Sequence, residues 1–217
     1  MKENSLKKLN ELFIRYPSLS SCNEGIAKAA QTIIDCYADG NKVITAGNGG
    51  SAADAEHIVG ELMKGFLSKR LLDETTIGKI RENSRPNAAD YLIKNLQMPL
   101  SAISLVNQVA LGTAFANDQA ADLVFAQQIL GMGNNGDVFI AISTSGNSKN
   151  ILYAVDIAKV KGLTTIALTG KSGGALKDMA DILINVPEEE TYKIQELHLP
   201  VYHALCIAVE EEFFGEE

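Results

Sequence analysis

The chemistry available to this sequence is concentrated in two turns and a few acid–base side chains. The segment AGNGGSAADAEH, residues 46–57, places Gly47, Gly49 and Gly50 beside Asn48 and Ser51. Such glycines let backbone N–H groups approach a ligand closely, and the start of a helix offers several of those groups unpaired to an anion. The segment STSGNS, residues 143–148, gathers Ser143, Thr144, Ser145 and Ser148. One Ser or Thr at a helix start is ordinary N-capping, but four hydroxyls in six residues exceed what a cap requires and suit the oxygens of a phosphate. Just beyond the glycine turn, His57 and Glu61 stand at i and i+4, on one helical face a turn apart. Alone, that pair is a surface interaction of a few tenths of a kcal/mol. Its interest comes from the turn beside it.

The glycine turn has a rival explanation. Gly47, Gly49 and Ala52 match the G-x-G-x-x-A pattern of dinucleotide-binding folds. That pattern requires a second strand about 20 residues on, ending in a ribose-binding acid. The sequence there is LSKRLLDETT, charged and poor in β-formers, and Asp73 is badly placed for the role. No Gly-Lys-Ser/Thr follows, so a Walker loop is excluded. A phosphate cradle without a nucleotide cofactor is the expectation.

The elements that must position these groups follow from periodicity. Residues 4–16 and 21–37 carry apolar stripes at helical spacing, and both precede the first strand, KVITA. A helix then runs from 52 to 64. Strands follow at 102–105, 137–143, 164–170 and 181–186, with helical sequence to about 129, at 147–161 and at 175–180, and a long helical region closes the chain near Glu210–Glu212. This alternation predicts an α/β fold, a three-layer doubly wound sandwich with a mainly parallel sheet and extra N-terminal helices. Residues 68–98 are polar and, apart from a short amphipathic piece around Tyr91–Leu96, lack clean periodicity, which predicts an inserted flap or extended loop. The leading helices, with faces to spare, predict a homo-oligomer.

Composition bounds the rest. With 217 residues, 46% of them hydrophobic, one domain over 1–217 is expected. Nineteen Lys and Arg against 27 Asp and Glu give a net charge of −8, which argues against nucleic acid or an anionic membrane surface as partner. No apolar run approaches the ~18 residues needed to cross a bilayer. Cys22, Cys36 and Cys206 form no C-x-x-C pair and are expected to be buried small hydrophobes in a reducing, cytoplasmic setting.

GNGGSAADAEH, STSGNS and the late IQELH together resemble the SIS (sugar isomerase) domain family and, within it, the phosphoheptose isomerases. The likeness spans nearly the whole chain, and the combination of His57, Glu61, Gln195 and His203 marks the isomerase branch. The resemblance implies that Glu61 moves a proton between carbons of an open-chain sugar phosphate and that His203 serves its oxygens. It implies a zinc site of His57, Glu61, Gln195 and His203, a chemistry that one Glu, two His and a Gln suit equally with acid–base work. Asn48, Gly49, Gly50, Ser51, Glu61, Asn117, Asp118, Ser143, Thr144, Ser145, Ser148 and Gln195 are implied to contact the substrate, sedoheptulose 7-phosphate. The assembly implied is a tetramer. His198 is expected to be structural. An alternative within the same family is a non-catalytic sugar-phosphate-binding regulator or scaffold.

Three features depart from the family pattern. Ser51 and Asn117 lie 117 − 51 = 66 residues apart, longer than usual, with the excess in residues 68–98. The segment SLVNQVALGTA lacks the family's acid and offers Asn107 instead. Pro200, between Gln195 and His203, is expected to kink or start a helix.

Overall fold

The computed structural model describes residues 1–215. Two helices, α1 (Glu3–Arg15) and α2 (Asn23–Ala38), flank a 3-10 turn at Pro17–Cys22. Leu9 and Leu12 of the first and Ile26, Ala30, Ile33 and Ile34 of the second are buried, the stripes that a 3.6-residue period places on one face. Five strands form one parallel sheet: β1 (Val43–Ala46), β2 (Ala102–Ser104), β3 (Val138–Ile142), β4 (Thr164–Thr169) and β5 (Ile182–Asn185). Their order is β2-β1-β3-β4-β5.

The remaining helices are α3 (Gly50–Met63), α4 (Glu74–Asn83), α5 (Pro86–Asn95), α6 (Val109–Phe115), α7 (Val124–Met132), α8 (Lys149–Val160), α9 (Leu176–Met179) and α10 (Thr191–Phe214). Strand β3 is buried throughout, as a central strand covered on both faces must be. Its Val138, Ile140 and Ile142 pack into the layer built with α1, α2, α3 and α10, whereas Phe139 and Ala141 pack into the layer of α7 and α8. The expected doubly wound sandwich is the observed one. The chain leaves β1 toward β2 on one side and later places β3 on the other. The order therefore reverses between β1 and β3, and ligands of open α/β sheets bind in the crevice at such a point, outside the carboxyl ends of the strands.

Two expectations need correction. Residues 68–98 hold a helical hairpin, α4 and α5, rather than an extended loop. Its helices lack core periodicity because α4 buries no residue and α5 only Ala89, so they rest mainly on each other. Asp73 caps α4 by accepting from Thr76 N at 2.6 Å, and Pro86 opens α5. Second, Pro200 does not start a helix: α10 begins at Thr191 and runs through the proline, which is buried.

Candidate active site

Both turns lie at the reversal point. Gly49, with φ of +56°, makes the bend that lets α3 start at Gly50, a conformation that L side chains rarely adopt. Gly146, with φ of +67°, lies so close to the turn after β4 that a Cβ there would collide with the carbonyl of Gly173. The two turns are tied together by a reciprocal amide pair: Asn48 Nδ2 donates to Asn150 Oδ1 at 3.0 Å, and Asn150 Nδ2 returns a bond to Asn48 Oδ1 at 2.8 Å. Ser51 and Ser143 are buried, and the Ser143 and Ser148 hydroxyls are 3.0 Å apart. Thr144 is half-buried, and Ser145 is exposed with its Oγ accepting from Asn147 N at 3.2 Å. Thus Asn48, Gly49, Gly50, Ser51, Ser143, Thr144, Ser145 and Ser148 are brought together.

The acid–base residues gather further along α3, against α10. His57 Nε2 is 3.1 Å from Glu61 Oε1, and Lys64 Nζ donates to the other carboxylate oxygen at 3.1 Å. The His57 and His203 rings stand edge to face with centroids 5.0 Å apart. Burial and then the neighbouring His57, with a smaller part from Arg15, lower the pKa of His203 against the opposing Glu61 carboxylate. Its Nε2 is buried without a hydrogen-bond partner. Below it opens a hollow of about 200 Å³ whose lining includes Lys8, Arg15, Glu196 and His203.

Gln195 stands apart from this cluster. Its amide lies against Gly50, where an added Cβ would come within 2.5 Å of Nε2, and it is 203 − 195 = 8 residues, about 12 Å of helix, from His203. Among the described residues, no three His, Cys, Asp or Glu side chains form a metal-holding group. The four-ligand zinc set is therefore not assembled within the single chain, although His57, Glu61 and His203 are neighbours and His203 Nε2 is unpartnered. Asn117 and Asp118 are exposed in a π-helical turn, Ala116–Ala120, and bond each other at 2.9 Å. Asn107 is exposed. His198 is fully buried, donates from Nε2 to the Thr169 carbonyl at 3.2 Å, and is held neutral by burial, which lowers its pKa to about 4.

Four residues near the site were not read from the sequence. Asn150 pairs with Asn48. Tyr202 donates its hydroxyl to Asp54 Oδ1 at 3.2 Å and stands 3.0 Å from His57 Nδ1. Burial and the adjacent Asp54 carboxylate raise the tyrosine pKa, so the phenol keeps its proton. Arg70 and Glu210 form a buried ion pair at the end of α3, with side chains 0% and 1% exposed. Partners more than 100 positions apart leave no local signal of spacing.

This fold and site define a sugar-phosphate domain: family models described as SIS domain match residues 18–95 and 101–208. A curated relative, phosphoheptose isomerase 2 of Campylobacter jejuni, is 42% identical over 191 residues, covering 88% of this chain and 82% of that protein. The solved phosphoheptose isomerase of Francisella tularensis superposes with a TM-score of 0.73 at 34% identity over 97% of this chain and 100% of that one. That of Neisseria gonorrhoeae gives 0.71 at 32% identity, covering 96% and 94%. The chain belongs to the SIS domain family and, within it, to the phosphoheptose isomerases.

Proposed function

We propose that this chain, folded as one SIS domain over 1–217, interconverts sedoheptulose 7-phosphate and D-glycero-D-manno-heptose 7-phosphate through an enediol. The observation that carries this reading is the meeting of Glu61 and His203 at His57, on helices that also meet at the glycine turn. A pure binding module would need the turns but has no use for that cluster. The phosphate is held by the N-terminal amides of α3 at Gly49, Gly50 and Ser51 and by the hydroxyls of Ser143, Thr144, Ser145 and Ser148. Asn48, Asn117, Asp118 and Gln195 bond sugar hydroxyls. Glu61 takes the proton from the carbon beside the carbonyl and returns it to the neighbouring carbon, while His203 moves the proton between the two oxygens. His57, Glu61 and His203 of one chain, with Gln195 reaching them from a neighbouring copy, would hold one zinc ion, which when bound supplies polarisation of the carbonyl.

Within one chain, Glu61 is 61 − 50 = 11 residues, about 16 Å, along α3 from the helix start. The phosphate turns and the acid–base cluster thus sit toward opposite ends of α3. Assembly of copies into a homotetramer, with the turns of one chain facing the cluster of another, shortens that gap. Helix α6 supports assembly: it buries no residue, and Val109 and Leu111 are exposed. The setting is cytoplasmic, consistent with three free, buried cysteines. No helix among the described residues is long and apolar enough to cross a membrane.

The test is to incubate the purified chain, with and without added zinc, with sedoheptulose 7-phosphate and with five- and six-carbon ketose phosphates, following aldose formation by NMR. Conversion of the heptose is expected. No conversion of any of them overturns the proposal.

A further inference from the structure

We propose that Arg70 and Glu210 are positioning residues that set Glu61 against His57 and His203. Helix α3 ends without a glycine cap, on Lys64 in extended conformation. Its last carbonyls need partners from outside the helix, as at any helix C-terminus, a role that Leu100 N shares by donating to the Leu62 carbonyl at 3.0 Å. The Arg70 guanidinium fills that role: Nη1 donates to the Leu62 carbonyl at 2.5 Å and Nη2 to the Glu61 carbonyl at 3.0 Å. A cation at this end also complements the helix dipole. The backbone of the residue assigned as base is therefore held by a planar fork.

The fork is itself fixed from α10. Arg70 Nε donates to Glu210 Oε1 at 2.8 Å, and the same carboxylate accepts from Phe66 N at 2.7 Å, Leu67 N at 2.7 Å and Ser68 N at 3.1 Å. Burial would raise the Glu210 pKa, but the amides of Phe66 and Leu67 and the Arg70 side chain outweigh it and hold the group ionised. Glu210 is 210 − 203 = 7 residues beyond His203, two helical turns along the same face. One clasp thus joins the Glu61 carbonyl to the helix face that carries His203. The Arg70 carbonyl also accepts from Met98 N at 2.9 Å, so the inserted hairpin leaves and rejoins the domain at the clasp.

A buried ion pair is weak evidence for stability, since desolvation of both charges offsets their attraction. What this pair supplies is geometry: a guanidinium fork satisfies two carbonyls and a carboxylate at once, which a lysine cannot reproduce. The inference rests on Glu61 acting as base, and the experiment separates the two ideas. Arg70→Lys is compared with Asp137→Asn, which weakens the partly buried Lys42–Asp137 pair at the N-terminal ends of β1 and β3, away from the turns. Both are assayed where circular dichroism shows them folded. For Arg70→Lys, kcat is expected to fall about 100-fold with KM nearly unchanged, the scale of a displacement of about 1 Å. Asp137→Asn keeps kcat whatever stability it loses. Should Arg70→Lys not fold, Glu210→Gln takes its place with the same expectation.

A second readout needs no turnover. The chain has three histidines, and imidazole NMR of the resting protein should show His57 and His203 displaced in Arg70→Lys, with His198 unmoved. Unmoved His57 and His203 signals, or a kcat equal to that of Asp137→Asn, overturn the proposal. Displaced signals in a protein whose wild type converts no sugar phosphate would sustain the clasp while removing the isomerase reading.

Discussion

The Tyr202 hydroxyl stands 3.0 Å from His57 Nδ1 and gives its own proton to Asp54 at 3.2 Å. Having donated, the phenol oxygen accepts from His57, which therefore carries its proton on Nδ1 and turns the Nε2 lone pair toward Glu61. An imidazole lone pair 3.1 Å from a carboxylate oxygen calls for a proton or a cation between them. Tyr202→Phe removes the relay and leaves the His57 tautomer unspecified. Zinc affinity, measured by competition with a chromophoric chelator, should drop at least about tenfold, as loss of a partner to a ligating histidine does. Equal affinity in the variant would dissociate Tyr202 from any metal role.

Glu61 is the group whose loss should separate chemistry from binding. Glu61→Gln keeps the size of the side chain and its place beside His57 but cannot act as a base. Turnover should fall by roughly 10²- to 10⁴-fold, the usual contribution of a positioned acid–base group. Exchange of the transferred substrate hydrogen with D2O, followed by NMR, should be lost in parallel, while phosphosugar binding measured by calorimetry is retained. A variant that still exchanges that hydrogen at the wild-type rate would move the base elsewhere.

Assembly makes a prediction of its own. Ser145→Asp sets a carboxylate where the phosphate oxygens would lie and should abolish binding in a chain whose Glu61 is intact. Mixed with Glu61→Gln chains under exchange conditions, it should regain activity, because some sites then combine wild-type turns with a wild-type cluster. Persistent inactivity of an exchanged mixture, verified by native mass spectrometry, would place each site within one chain.

The fold was legible because its strands are buried on both faces and read as apolar runs. The sequence windows at 102–105, 137–143, 164–170 and 181–186 contain all of β2 to β5. The two turns were legible because their chemistry is local, within five or six residues. The hairpin was legible only in part: α4 and α5 bury almost nothing, so apart from the amphipathic piece around Tyr91–Leu96 only the cap at Asp73 and the proline at Pro86 mark it. Pro200 suggests a helix start in the sequence, whereas it lies buried inside α10, nine residues after Thr191. The Asp54–Tyr202–His57 relay and the Arg70–Glu210 clasp join residues more than 100 positions apart, and only the packing of α10 on α3 creates them.

The two turns differ in how much room they leave, which orders two glycine substitutions. In Gly146→Ala the new Cβ meets backbone, the Gly173 carbonyl, at a positive φ. Stability should fall by about 1–3 kcal/mol, the range for a residue held in a sparsely populated conformation. In Gly50→Ala the obstacle is the end of a flexible side chain, Gln195. The fold should tolerate it, while the displaced amide raises KM. Urea unfolding compared with steady-state kinetics checks the ordering, and a Gly50→Ala protein with unchanged KM would detach Gln195 from the substrate.

His198 predicts the acid side of the stability curve. Its pKa is about 4 in the folded protein against an ordinary value of 6.5, because burial disfavours the imidazolium more than the Thr169 bond favours it. As pH falls below 6.5 the unfolded chain takes up the proton first, so folding is opposed by up to about 1.4 kcal/mol per pH unit until the folded ring also titrates near 4. In His198→Gln this contribution is missing. The stability of the wild type minus that of the variant, from urea unfolding at about pH 7.5 as baseline and about pH 6 and 5 on the slope, should therefore decrease toward acid. A difference independent of pH would mean that the buried ring exchanges protons as freely as one in water.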